Sequence, residues 1–204
     1  EQVTTRRTMN LVSLVRATAP SMKDISAYLD GLSSAERVAQ TRQLNGADQR
    51  RLFDAAAGFR TLRATDMVPA SSPAMTGVRH EGRNSLPLFS LFAKVFYRPD
   101  DAAAAKSVTW GYNDGSPVVL TTVGPGYYVA VNHGEQEVLV DYLQQPPRPF
   151  PGSPPIIPNS ARLSRFVFYQ TQDVLRGVSA HVSIGRATRN GKDMNNWFVL
   201  CRAD

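Results

Sequence analysis

Cysteine is nearly missing from this chain: Cys201 is the only one in 204 residues, so no disulfide can close within it and no cysteine pair can hold zinc. Long apolar runs are missing too. The longest, such as Tyr127 to Val131 and Phe166 to Tyr169, fall far short of the roughly 20 residues a membrane-spanning helix needs. Residues 1–20 lack the unbroken apolar stretch of a secretory signal, and with one thiol a cytoplasmic location is the expectation, a secreted mature form the alternative.

Reaction motifs are absent as well. There is no Gly-x-Ser-x-Gly nucleophile elbow and no His-Glu-x-x-His. Gly124-Pro125-Gly126 lacks the third glycine of a dinucleotide fingerprint and reads as a turn. The stretch from Gly185 to Lys192 is no phosphate loop, because Asp193 stands where a hydroxyl is required. His80, His133 and His181 show no ligand spacing, so neither a metal nor a cofactor is expected.

What remains is an ordinary globular composition, 42% hydrophobic and 20% charged. The net charge of +6 is mostly N-terminal: residues 1–63 hold ten Lys and Arg against six Asp and Glu. Acids lie between the arginines, as on a solvated helix surface, and no reader motif accompanies them. Nucleic acid is therefore the weakest of the partners considered.

Residues 1–22 read as a flexible basic arm. Residues 23–60 read as helices, because Ile25, Tyr28, Leu29 and Leu32 recur at helical spacing and Ser33 with Glu36 forms a capping box. Asn45-Gly46 is expected to end the second helix, and Leu52, Phe53 and Ala56 to be buried in the third. Residues 61–84, rich in Pro, Ser and Gly, read as a linker, leaving 85–204 as the core domain. Within it, Leu88, Leu91, Phe92, Val95 and Phe96 predict a helix from Asn84 or Ser85 to before Pro99, with a strand as the alternative.

A meander is expected next. Val108 to Tyr112 turns at Asp114-Gly115 into Val118 to Val123, with Trp110 facing Val119, and Tyr127 to Asn132 turns at Gly134 into Val138 to Leu143. The proline-rich stretch from Gln144 to Pro158 is an extended crossover, whose Pro-x-x-Pro spacing could also serve a polyproline reader. Asn159 or Ser160 is expected to cap a helix to Arg176, with Phe166 to Tyr169 readable as a strand instead. The strongest local signal is Asn190-Gly191, a type I′ turn between Val178 to Arg189 and Asn195 to Arg202, which predicts Ile184 opposite Trp197, Val182 opposite Val199 and Ala180 opposite Cys201.

The fold expected is α+β: an antiparallel, strongly curved sheet or partial barrel of about six strands, packed with one or two helices and preceded by the short helical segment. The second face of the last hairpin mixes His181, Ser183 and Gly185 with Asn196, Phe198 and Leu200, which suits the wall of a pocket. A small organic ligand is the expected partner. Ser183, Asn196, Phe198, Tyr128, Trp110 and Arg186 are the candidate binding residues. If there is catalysis, His181 would move a proton, Asp141 would orient it and Tyr142 would donate a hydrogen bond. The alternative function is a protein-interaction or structural module docking through residues 24–58.

Overall fold

The computed structural model describes residues 9–87 and 90–203. Residues 1–8 of the expected arm, and Leu88 of the expected apolar helix face, lie outside the described residues.

Four short helices come first, each started by a polar side chain that takes up orphan N–H groups. Asn10 caps α1 (Leu11–Val15), Ser21 caps α2 (Met22–Asp30), Ser33 and Glu36 form the reciprocal box of α3 (Ser34–Thr41), and Asn45 with Asp48 does the same for α4 (Gly46–Ala55). Asn45-Gly46 therefore opens a helix, correcting its expected role as a stop; Asn45 is extended, and its side chain accepts from the Asp48 N–H at 3.0 Å. The buried Arg37 of α3 donates to the carbonyls of Leu29 and Leu32 at 3.0 and 2.9 Å, satisfying the free end of α2. Arg16 grips Asp48 with two hydrogen bonds of 2.7 and 2.9 Å.

Eight strands follow: β1 (Val78–Asn84), β2 (Leu91–Tyr97), β3 (Val108–Asp114), β4 (Tyr128–His133), β5 (Glu137–Asp141), β6 (Thr171–Gly177), β7 (Val182–Arg189) and β8 (Lys192–Arg202). Each pairs antiparallel with the next, and β8 returns to β1, so the sheet is a closed barrel. The expectation of about six strands in an open or partial barrel is corrected in three places. The linker over 61–84 contains β1, the helix before Pro99 is β2, and the helix expected to reach Arg176 is only α6 (Ser164–Val167) followed by β6. One expected strand is lost. Ser116 and Pro117 start a helix, α5 (Pro117–Thr122), and Trp110 faces Tyr97 and Val129 rather than Val119.

The closing hairpin keeps its predicted turn, with Arg189 opposite Lys192 and Thr188 opposite Asp193. An irregularity at Ala187/Thr188 then takes up two extra residues of β8, so that Ile184 faces Val199, Val182 faces Cys201 and Trp197 faces Arg186. A slip of two residues moves every partner yet preserves the faces, because side chains alternate with period two.

Three clusters make the core. Leu11, Val15, Ile25, Leu29, Leu52 and Phe53 of the helices pack on Val182, Ile184, Val199 and Cys201 of the last hairpin's outer face. From residue 9 onward the supposed arm is thus a packed helix and its connection, and the helical segment shares one core with the barrel. On another part of the wall, Tyr97, Trp110, Tyr112 and Tyr127 lie under Phe150 and Ile156 of the proline-rich crossover. The third cluster fills the barrel, with Phe96, Tyr128, Val138, Val140, Leu175, Phe198 and Leu200. An eight-stranded barrel is just wide enough for its side chains to fill it or to hold one small ligand.

Loop connectivity defines two mouths. A short 3₁₀ helix at Ala64–Met67 plugs the lower one: Ala64 N–H donates to Asn132 Oδ1 at 2.9 Å, Thr109 Oγ1 donates to Ala64 O at 2.6 Å, and His80 Nε2 lies 2.9 Å from Met67 O. The segments carrying α5 and α6 lie over the upper mouth, where Phe168 stacks on Tyr142 with centroids 5.2 Å apart.

Candidate functional site: a buried charge centre in the barrel

Strand parity places Phe92, Lys94 and Phe96 of β2 inside the barrel and Val95 and Tyr97 outside. Lys94 and Asp173 of β6 meet there as an ion pair at 3.2 Å, their side chains only 2% and 6% exposed. Lys94 also donates to Asn113 Oδ1 at 2.9 Å and to the Tyr142 hydroxyl, so its three N–H groups are all engaged. Asn113 Nδ2 donates to the Tyr142 hydroxyl at 3.0 Å and to Gly126 O at 3.0 Å, tying the centre to the loop over the upper mouth. The ammonium further lies over the rings of Tyr142, Tyr128, Phe198 and Phe92 at 4.9, 5.0, 5.3 and 5.9 Å.

Three of those rings owe their positions to glycine. Gly82, Gly111 and Gly185 are the direct cross-strand partners of Phe92, Tyr128 and Phe198. A Cβ at any of them would stand within 2.3 to 2.7 Å of the partner's ring, so each ring lies flat across its glycine and reaches inward. Small-against-large pairing of this kind fits bulky rings into a narrow barrel.

Burial acts on every ionisable group of the centre. It pushes the Lys94 ammonium down, against the pull of Asp173, and it pushes the Asp173 carboxyl up, against Lys94 and Tyr142. The Tyr128 and Tyr142 hydroxyls are held well above the usual phenol range by burial, and Asp173 adds to both. Desolvation inside the aromatic cage thus disfavours the charged form of both partners, the lysine's proton affinity falling and the aspartate's rising.

Of the residues expected to form a site, Tyr142, Tyr128 and Phe198 belong to this centre. Ser183 is also on the inner wall and buried, its Oγ without a hydrogen-bond partner among the described residues. Asn196 lies near the upper mouth, where Oδ1 accepts from Ser85 at 2.7 Å. Trp110 is on the outer wall, and Arg186 is outside as well, over the Phe53 ring at 5.2 Å and 3.2 Å from Asp193.

The pairing of His181 with Asp141 is corrected. Asp141 points out of the barrel and accepts from the Leu143 N–H, Gln144 Nε2 and Gln172 Nε2 at 3.0, 2.9 and 3.2 Å. It lies level with Gln172, whereas His181 lies beyond the Gly177–Ser183 pair, five or more residues further along β6. At the rise of a strand that is about 16 Å. His181 instead receives a hydrogen bond from Arg202 Nη2 at Nδ1, 3.2 Å away, at the lower mouth.

Lys94, Asp173 and Asn113 are the members that sequence reasoning missed. A signal for them exists in the alternation Phe92-x-Lys94-x-Phe96, once β2 is read as a strand with both faces covered. Among the described residues no group of three His, Cys, Asp or Glu is placed to hold a metal, and no helix is long and apolar enough to cross a membrane. No family model matches the chain, and no curated protein or solved structure matches it either.

Proposed function

We propose that the barrel is a receptor for a small, flat organic molecule, bound at the upper mouth with its polar group on the Lys94–Asp173–Asn113 centre. The observation that carries this reading is the ion pair itself. Burying two charges is expensive, and a pair of apolar residues in the same place is often as stable or more so, so fold stability alone gives little reason for it. Tyr142 already holds a flat ring, that of Phe168, in a stacked arrangement with an interplanar angle of 19°. A planar ligand would take the place of Phe168, and an anionic or carbonyl group on it would reach Lys94 by displacing the Tyr142 hydroxyl or Asn113 Oδ1 as acceptor. Acid–base chemistry between Lys94, Asp173 and Tyr142 is the catalytic form of the same proposal, replacing His181 and Asp141 in those roles.

Docking through residues 24–58 is less well supported, since Ile25, Leu29, Leu52 and Phe53 already spend their apolar surface on the barrel wall. The test is a thermal-shift screen of aromatic acids and aldehydes against three proteins: the unaltered chain, Phe168→Ala, and the double variant Lys94→Met/Asp173→Leu. Compounds that stabilise the unaltered chain should stabilise Phe168→Ala more and leave the double variant unmoved. Equal stabilisation of the double variant, or no hit on either of the others, overturns the proposal.

A further inference from the structure

The lower mouth carries a separate feature. A cleft of about 570 Å³ opens beside the 3₁₀ plug, lined among others by Arg60, Arg98, Arg202, Asp66 and Thr65. Its volume lies within the range of about 300 to 1,000 Å³ usual for small-molecule sites. Its described lining includes three arginines and one carboxylate, Asp66.

Two of the arginines are held in place by the main chain. Arg98 Nη2 donates to Pro69 O at 2.7 Å, and Arg202 donates from Nη1 to Asp66 O at 3.3 Å and from Nη2 to His181. Each bond fixes the direction of its guanidinium fork. The stem of Arg60 lies against Gly177, where an added Cβ would be 3.3 Å from its Cγ and Cδ, and its guanidinium is exposed with no hydrogen-bond or ion-pair partner among the described residues. Asp66 is turned to local use, its Oδ2 accepting from the Arg63 N–H at 2.8 Å and so capping the plug.

We infer that this cleft is a binding site for a small phosphate-bearing anion, with Arg60, Arg98 and Arg202 as its ligands. Planar guanidinium forks match the paired oxygens of a phosphate, and fixing two of the three before binding lowers the entropy lost when the anion arrives. The cleft and the charge centre are at opposite mouths, so the two sites can fail independently.

Isothermal titration of the full chain with inorganic pyrophosphate tests the site. The unaltered protein should bind it with an affinity that falls as sodium chloride is raised, and Arg60→Gln, an exposed change that leaves the thermal midpoint in place, should weaken binding roughly tenfold or more. Arg98→Gln should do the same. An unaltered protein that takes up no pyrophosphate at millimolar concentration, an affinity unchanged by Arg60→Gln, or equally tight binding of citrate would each overturn the assignment.

Discussion

The two mouths of the barrel are closed by different chemistry. At the lower mouth the plug is tied down by directional bonds between main chain and side chain: Ala64 to Asn132, Thr109 to Ala64 and His80 to Met67. At the upper mouth the cover adds ring contact, Phe168 on Tyr142, to bonds that Asn113, Asn159 and Arg189 donate to the carbonyls of Gly126, Tyr127, Tyr142, Phe166 and Val167, while Leu163, Phe166, Val167 and Tyr169 are 45–61% exposed. A hydrogen-bonded plug must break several bonds before it moves, whereas a ring that slides off another ring can be replaced by any flat molecule of similar area. The receptor proposed above requires the stacked ring at the upper mouth, over the buried charges, to give way more easily than the plug.

The sharpest way to break this contrast is through the ion pair. Lys94→Met alone, or Asp173→Leu alone, leaves one charge stranded in the barrel and should cost about 3–5 kcal/mol in urea unfolding, while the double variant should be as stable as the unaltered chain or more stable. If the double variant is as damaged as the single ones, the pair is a structural necessity and the argument for a receptor centre falls.

Gly111→Ala comes next. Its Cβ would stand 2.5 Å from the Tyr128 ring, and overpacking of this kind should destabilise by about 1–3 kcal/mol and displace the cage around Lys94. Phe168→Ala should cost about 2 kcal/mol for a half-buried ring, and amide exchange should accelerate over 159–170 and not over 62–68. Faster exchange at both mouths would erase the distinction between them. Thr109→Val removes the donor to Ala64 O and should cost about 1–2 kcal/mol, with exchange rising at the plug alone.

The smallest effect is the dependence on pH. With its folded value raised, Asp173 makes the protein more stable at low pH, an advantage lost as pH climbs from the ordinary carboxyl value through the raised one. With its folded value lowered, Lys94 makes the unfolded chain the better proton binder between the lowered value and the ordinary ammonium value, so stability recovers as pH climbs through that window. Unfolding free energy measured against pH, minus that of the double variant, should pass through a shallow minimum between the two windows. A flat difference would mean that both groups titrate as they do in the unfolded chain.

Much of this architecture was legible in the residues, and the failures share one cause. The capping box at Ser33, the strands around Gly134 and the turn at Asn190-Gly191 are local signals, and the structure realises all three. β2 reads as a helix because both of its faces are buried, one in the barrel and one under the crossover, which removes the alternation that marks a strand. β6 alternates cleanly in burial, but Thr171 and Asp173 occupy inward positions where a sequence reader expects apolar residues. The same inversion hid the centre. His181 and Asp141 drew attention as polar residues in apolar strands, yet the partners that meet are separated by four intervening strand pairings and a proline-rich crossover, and no local rule joins Lys94 to Asp173. The facing of the last hairpin is legible in its sequence, since parity survives the two-residue slip and Ser183, Phe198 and Leu200 are all buried on the inner side.

Closure of the ring has a consequence for company the molecule can keep. Because β1 is bonded on both sides, to β2 and to β8, the sheet has no edge strand among the described residues, and the stretch of β8 from Lys192 to Asn196, which β1 does not reach, is bonded to β7 alone. Strand addition, and the stacking of copies edge to edge, are thereby confined to that short stretch of β8 among the described strands. Over the rest of the barrel the outer surface open to company is that of loops, helices and the two openings.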